Sequence, residues 1–551
     1  MNNYDIADKI ELLISYAKMY LMLQDTDEWY VRNRLMETLK ISQPSYPTQD
    51  VAKLIDDILH PLSLYAISEG IIDEAQIDQF ETKLIDFVMP APSVIIECFD
   101  RKCLNEGMRQ ATTWFYDFCC KCNYIKTEDI KKNIVWSFTG SNGDIVVTVN
   151  LSKPEKDNRE VAAARALPQL QYPKCMLCTS NVGFMGRPCY PSKYNLRTIP
   201  IFLGDELWHF QFSPYSYYEQ HCIALSDEHK PMTLNSASFE KMLEFVSLFP
   251  HYFIGSNAPL PIVGGSILTH EHFQGGGKVH PMFKRPVYKQ YKHTDFAGVK
   301  FGLLDWYNSV IRLKSKNKEA LLAAVNYIHE KWCAYSDESV GILSKTTEQH
   351  NTITPIIRME RGEIFAELIL RNNRTDSDHP FGIYHPTEDL HNIKKEGIGV
   401  IEVMGTFILP GRLASEFHGI ANYLNGKKPF NEKELSNPEN PLFKHRFMIA
   451  ELLIRNGIVT EDKASTLVTA YINKVCEQIL ECTAVFKKDA KGKNAFDIFM
   501  NTLGFLPSDG SSEVAPADTC KTESPAPQTE VKPVADATPA PKKRGRPPKI
   551  K

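Results

Sequence analysis

The stretch Gly264-Gly265-Ser266-Ile267-Leu268-Thr269-His270-Glu271-His272-Phe273-Gln274-Gly275-Gly276-Gly277 places a His-x-His-x-Gln between two leading glycines and three trailing ones. Read as extended chain over 268–274, it alternates its side chains between two faces. His270, His272 and Gln274 then share one face, and Glu271 and Phe273 take the other. Neighbours on one face of a strand stand about 7 Å apart. Two imidazoles at that spacing can hold separate jobs, one on a metal and the next attacking phosphorus. The glycines carry no Cβ and let a phosphate come close to the backbone. An isolated His-x-His reads more simply as two polar side chains on the wet face of a strand. The residues around this one turn the reading toward chemistry.

Asn257, Ser266, Thr269 and Gln274 supply neutral hydrogen-bonding groups near the histidines, and Arg187, Arg197, Lys278 and Arg285 supply positive charge. A site that transfers a phosphoryl or nucleotidyl group needs donors aimed at phosphate oxygens. A neutral imidazole is a good nucleophile at phosphorus near pH 7, because its pKa lies near 6.5. Its adduct carries positive charge on the ring and leaves readily, which suits a double displacement. Upstream stands Cys175-Met176-Leu177-Cys178. Alone, such a C-x-x-C is a redox pair, a metal site or a coincidence. With His229 and His270 downstream, two thiolates and two imidazoles would complete a tetrahedral zinc shell.

The bulk properties narrow the setting. A chain of 551 residues exceeds one hydrophobic core and divides into roughly two to four units. Its 43% hydrophobic and 24% charged residues are ordinary globular values. A net charge of −4 argues against nucleic-acid binding by the whole surface. No apolar run reaches the 18 residues of a membrane span. The start, MNNYDIADKIELL, is amphipathic and acidic and is not read as a secretory signal. Thirteen cysteines, an odd number in a large chain, fit reduced thiols in a cytoplasm better than a disulfide scaffold.

Residues 1–135 read as helical, with apolar residues such as Ile6, Ile10, Leu13, Ile14 and Ala17 at three- and four-residue steps. Cys119, Cys120 and Cys122 fall on one of these helices, where adjacent residues point apart, and read as buried thiols rather than a metal cluster. Strand-like runs follow at 144–151, 198–203, 207–212, 221–225, 252–255 and 266–274, then at 287–291, 306–313, 352–359, 363–370 and 399–404. Helices are expected at 236–248 and 318–335, and again through 412–505. From 506 to 551, Pro, Ala, Ser, Thr, Glu and Lys dominate, and this tail is expected to be disordered.

In this order, the Cys-x-x-Cys, the downstream His, the Asn and the His-x-His-x-Gln resemble the galactose-1-phosphate uridylyltransferases of the histidine-triad superfamily, specifically their second, Firmicutes-type class. The resemblance is carried by Asn195-Leu-Arg-Thr-Ile-Pro-Ile, Trp208-His-Phe-Gln-Phe-Ser-Pro-Tyr, Glu219-Gln-His-Cys-Ile-Ala-Leu, Phe249-Pro-His-Tyr-Phe-Ile-Gly-Ser-Asn, the 261–276 block, Lys394-Lys-Glu-Gly-Ile-Gly-Val-Ile-Glu-Val-Met-Gly and Leu409-Pro-Gly-Arg-Leu. It spans roughly residues 1–505.

The resemblance implies an α+β fold of two histidine-triad-like α/β halves with antiparallel sheets, at 136–285 and 286–411. Helical extensions flank them at 1–135 and 412–505. It implies that His272 takes the uridylyl group from UDP-glucose, releases glucose-1-phosphate, and passes the group to galactose-1-phosphate. Gln274, Ser266, Asn257 and Arg197 would hold the substrate, and Lys395 and Glu402 would approach the hexose. Cys175, Cys178, His229 and His270 would bind a structural zinc, with no organic cofactor. Where the better-known class has Pro, this chain has Glu271. A homodimer is among the assemblies the resemblance allows.

Two other readings compete. A nucleotide hydrolase or a dinucleoside-polyphosphate phosphorylase of the same superfamily would use the same nucleophile and differ in what resolves the adduct. The 394–402 block favours a sugar phosphate. The tail holds Arg544-Gly-Arg-Pro, which resembles the core of an AT-hook. Arg544 and Arg546 could then enter a narrow minor groove. The plainer reading of that tail is a solvated basic end.

Overall fold

In the computed structural model, residues 3–45, 54–152, 172–187, 190–265 and 267–508 are described. Ser266, and the tail from 509 with Arg544 and Arg546, lie outside the described residues. The strands are β1 Ile134–Gly140, β2 Gly143–Asn150, β3 Ile199–Leu203, β4 Glu206–Phe212, β5 Cys222–Ser226, β6 Phe253–Gly255, β7 His272–Gly276, β8 Val287–Lys292, β9 Lys300–Leu304, β10 Val310–Ser315, β11 Asn351–Glu360, β12 Glu363–Asn372, β13 Thr406–Pro410 and β14 Leu506–Pro507.

Among the described residues, 11 strands form one antiparallel sheet in the order β14-β8-β9-β10-β12-β11-β6-β7-β5-β4-β3. The joint between β6 and β11 therefore makes the strands of 199–276 and those of 287–372 a single surface. A separate sheet orders β1-β2-β13, with β13 running parallel to β2. Strand β7 lies between β5 and β6, with Leu225 opposite His272 and Gly255 opposite Gln274.

Alternation along β7 assigns its two faces. Phe273 is fully buried and stacks on Trp208, ring centres 4.9 Å apart. On that side of the sheet lies one core, contributed by the N-terminal helices Asn3–Tyr20 through Met108–Lys121, by Ser236–Leu248 and Lys318–Ala334, and by Ala490–Thr502. Cys119 and Cys122 are buried in it at the end of the Met108–Lys121 helix. His272 and Gln274 look the other way, toward a second core built from β2, β13, the 390–404 segment and the helices Arg412–Leu424, Arg446–Asn456 and Glu461–Cys482. Among the described residues, no helix is long and apolar enough to cross a membrane.

Three expected strands differ from those observed, each for a tertiary reason. The strand expected over 266–274 begins only at His272. Before it, Glu271 O still accepts from Ser226 N at the end of β5 (3.0 Å), while the loop beyond β5 takes the rest: Glu271 N donates to Lys230 O (2.7 Å) and Met232 N to Leu268 O (2.9 Å). The strand expected over 399–404 is a single helical turn, Val400–Val403. Glu402 Oε2 accepts from Gly399 N and closes a cap there, and the strand moves on to β13. The strand expected over 306–313 starts at Val310, because the backbone turns after β9, Trp306 N donating to Leu304 O, and the Trp306 and Asn308 side chains reach Val403 O and Leu480 O.

The second core closes directly over β6. A Cβ at Gly255 would stand 2.7 Å from Val400 Cγ2 and 3.3 Å from Ile356 Cγ1. Gly255→Ala should therefore cost about 1–3 kcal/mol of stability by overpacking. Val400→Ala should relieve part of that cost, so the double variant should be more stable than the sum of the singles by about 0.5 kcal/mol or more. Denaturant titration of the four proteins checks this, and strict additivity would contradict the contact.

Candidate active site

His272 is held in one tautomer by the chain two residues before it. Its Nδ1 lies 2.8 Å from the carbonyl oxygen of His270. A carbonyl can only accept, so Nδ1 carries the hydrogen and Nε2 carries the lone pair. Nε2 has no hydrogen-bond partner among the described residues. Burial pushes the ring down to about 4, so it is neutral near pH 7. These are the properties of a nucleophilic imidazole.

The His270 carbonyl points at Nδ1 because the chain is not yet a strand there. Glu271, between the histidines, is buried on the opposite side, its Oε2 3.5 Å from Lys230 Nζ and 4.0 Å from Lys241 Nζ. Both lysines also reach Glu206, at 2.8 and 2.9 Å. A proline at 271 could neither make this ionic cluster nor donate to Lys230 O.

His270 itself turns to the cysteines. Its Nε2 donates to Ser226 O at 2.7 Å, which leaves the Nδ1 lone pair facing Cys175 Sγ at 3.2 Å and Cys178 Sγ at 3.7 Å. His229 Nδ1 lies 3.2 Å from Cys178 Sγ, and the two sulfurs are 3.6 Å apart. The four ligand atoms all fall within 4.8 Å of one another. Zinc bonds of about 2.3 Å to sulfur and 2.0 Å to nitrogen place tetrahedral ligand atoms roughly 3.3–3.8 Å apart, so this donor set fits such an ion. Asn181 braces the cysteine turn, donating to Cys175 O and Cys178 O at 2.8 Å each, and it accepts from Tyr190 at 2.7 Å.

On the face of His272, Gln274 Oε1 lies 3.3 Å from His221 Nε2. Asn257 follows the end of β6 by two residues, and β6 ends with Gly255 paired to Gln274. Its Oδ1 accepts from Val400 N at 2.9 Å. A Cβ at Gly265 would stand 2.6 Å from its Nδ2, so the glycine is what lets that loop pass. The 399–402 turn thereby sits beside Asn257, and Glu402 reaches from it to Lys394 Nζ at 3.1 Å.

Two expected residues are placed otherwise. Lys395 is exposed, 5.9 Å over the ring of Phe381, and the lysine that meets Glu402 is its neighbour Lys394, buried and also donating to Ile408 O. Arg197 is buried and its guanidinium is occupied by the fold: Nε and Nη2 donate to Pro90 O, Nη1 to Tyr194 O and Leu196 O, and Nη2 meets Asp86 at 3.1 Å. It ties the end of the Ile77–Val88 helix to the approach to β3 and does not face His272. The sequence reading holds Lys394 and His221 within its motif blocks without giving either a role, and it passes over His280. His280 is fully buried, its Nδ1 3.0 Å from Thr406 Oγ1 and its Nε2 without a partner among the described residues. A histidine just ahead of the strand paired to β7 is a signal for His221, but only once that pairing is known.

Comparison with known proteins places this geometry in context. Residues 22–231 match the family model described as galactose-1-phosphate uridyl transferase, N-terminal domain, and residues 244–429 match its C-terminal domain. A galactose-1-phosphate uridylyltransferase of Caldanaerobacter subterraneus is 42% identical over 92% of this chain and 99% of its own length. One from Fusobacterium nucleatum is 40% identical over 91% of this chain and 99% of its own. One from Bacillus subtilis is 41% identical over 91% of this chain and 98% of its own.

Because the Arg197 guanidinium is committed to backbone carbonyls, Arg197→Met should act on stability. We expect a loss of about 1–3 kcal/mol in unfolding free energy with turnover of the folded protein unchanged within about twofold. A large fall in turnover at unchanged stability would return Arg197 to the substrate.

Proposed function

The chain belongs to the galactose-1-phosphate uridyl transferase family, and from that premise we propose that it carries UMP from UDP-glucose to galactose-1-phosphate through a uridylyl-histidine at His272. The observation that carries the assignment to His272 is the bond from its Nδ1 to His270 O, which leaves the Nε2 lone pair as the reactive one. Nε2 attacks the α-phosphorus of UDP-glucose. The new N–P bond forms as the bond to the glucose-1-phosphate oxygen breaks, and that oxygen keeps the electron pair. An oxygen of galactose-1-phosphate then attacks the same phosphorus, and the N–P electrons return to Nε2.

The ring bears positive charge while it holds the uridylyl group. The His270 carbonyl, already accepting from Nδ1–H, supports that charge through a charge-assisted hydrogen bond. Gln274 and Asn257, on the same face, serve as neutral donors toward the phosphate. Ser266 is assigned beside them on the sequence motif. We assign the sugar side to Lys394 and Glu402, the pair set beside Asn257.

A zinc ion would be held by Cys175, Cys178, His229 and His270. Four protein ligands close its shell, and what the ion supplies when bound is rigidity. His270 would then be fixed at its ring while its carbonyl fixes His272. The thiolate pair needs a reducing compartment, which supports a cytoplasmic setting.

Two measurements test this reading. Incubation with UDP-glucose labelled at the α-phosphate should give a covalent adduct that galactose-1-phosphate discharges. His272→Ala should form none and should lose exchange by at least about a thousandfold. Adduct formation by that variant would end the assignment. Metal analysis should find about one zinc per chain, and Cys175→Ser should lower both that content and the melting temperature. Well-folded protein free of zinc would reject the site.

A further inference from the structure

The family assignment leaves unexplained a buried histidine behind Gln274. His221 is 3% exposed and stands at the start of β5, across from β7. Two aromatic rings pack against its own. Tyr217 stacks on it, centres 5.6 Å apart and planes 26° from parallel, and Tyr218 lies against it at 4.5 Å. Tyr218 is held in turn, its hydroxyl donating to Gly275 O at 3.2 Å. The backbone before His221 is also constrained. Gln220 has φ +52°, a left-handed conformation that a non-glycine residue adopts only when its surroundings impose it, and Tyr252 hydrogen-bonds its side chain. His221 N donates to Tyr218 O, and Ser213 N to His221 O.

The ring makes one hydrogen bond, between Nε2 and Gln274 Oε1 at 3.3 Å, and Nδ1 has no partner among the described residues. Burial keeps the ring neutral, so it has one N–H to place. With the hydrogen on Nδ1, a buried donor is orphaned and the Gln274 amide must donate inward. With the hydrogen on Nε2, only an acceptor is left over, and the Gln274 oxygen is captured. Leaving a donor unmet is the costlier arrangement, so the second is preferred. The Gln274 NH₂ group is then the part left to face His272's side of the sheet.

We infer that His221 is a positioning residue that locks the Gln274 carboxamide with its oxygen inward and its NH₂ toward the phosphate. The inference rests on the uridylyl-transfer reading above. Without the lock, half the amide orientations would present a carbonyl oxygen to a phosphate oxygen. A phenyl ring at 221 would keep the packing between Tyr217 and Tyr218 and lose the donor. A glutamine there would restore an N–H at about the position of Nε2.

The test uses full-length protein and the rate of uridylyl-enzyme formation from α-labelled UDP-glucose, measured in single turnovers. His221→Phe should slow that step about tenfold or more with zinc content and melting temperature retained, and His221→Gln should recover most of the rate. In a Gln274→Ala background, His221→Phe should cause no further loss. If His221→Phe fails to fold, His221→Leu, which also lacks the donor, carries the same cycle against Gln274→Ala. A wild-type rate in His221→Phe, or equal losses in both backgrounds, would overturn the inference. Failure of the wild-type protein to form any adduct would instead refute the transfer reading, and this inference with it.

Discussion

One hydrogen bond, from His272 Nδ1 to the carbonyl oxygen of His270, joins the two halves of the site. It decides which nitrogen of His272 is basic, and it makes the backbone of a metal-ligand candidate the rest against which the nucleophile sits. The bond is possible because residues 267–270 come before the strand begins. In a regular strand the 270 carbonyl would be directed sideways to a neighbouring strand. Here Glu271 N and O are taken by Lys230 and Ser226 instead, and the buried Glu271 carboxylate answers to Lys230 and Lys241. The ionic cluster on one side of the chain thus sets the tautomer of a ring on the other.

The sheet extends this constraint. Phe273 and Trp208 pin β7 to the first core, while His272 and Gln274 are presented to the second. That second core reaches the site as the 399–402 turn, admitted by the missing side chain of Gly255 and tied to Asn257 through Val400 N. Glu402 caps the turn with one carboxylate oxygen and meets Lys394 with the other. Any shift of this turn therefore moves the Lys394–Glu402 pair and the amide beside His272 together.

Much of this was legible in the residues. His270, His272 and Gln274 and the four Cys and His candidates stand at spacings that chemistry requires, and the structure brings the four within 4.8 Å. The alternation placed Phe273 and Glu271 away from His272 without any coordinates. What was not legible depends on partners distant in sequence. The start of β7 is set by the loop at 226–232. Whether Lys394 or Lys395 meets Glu402 is decided by a one-turn helix that reads locally as a β-branched strand. Arg197 looked like a phosphate ligand because the carbonyl that claims it, Pro90 O, lies 107 residues earlier. His221 becomes visible only through the β5–β7 register.

The fate of the other basic residues says what kind of phosphate site this is. Arg285 is bound to Asp305, by its Nε to the carbonyl and by Nη2 to the carboxylate at 2.8 Å. Arg187 lies over Tyr190 and donates to Tyr172 O. Burial lowers the pKa of Lys278, which weakens its hold on a proton. The neutral groups proposed to meet the phosphate, Gln274 and Asn257, are amides. Cations clamped on the phosphates would stabilise bound diphosphate as much as the state in which the bond breaks, and such uniform binding does not speed the chemical step. A double displacement transfers one uridylyl group between two similar sugar phosphates, so neither leaving group needs much more help than the other. Under the proposed transfer through His272, oriented neutral donors, with the compensating positive charge arising on that ring only while it carries the group, would meet that requirement. On that proposal the orientation of a single amide, at Gln274, would matter more than the number of charges around it.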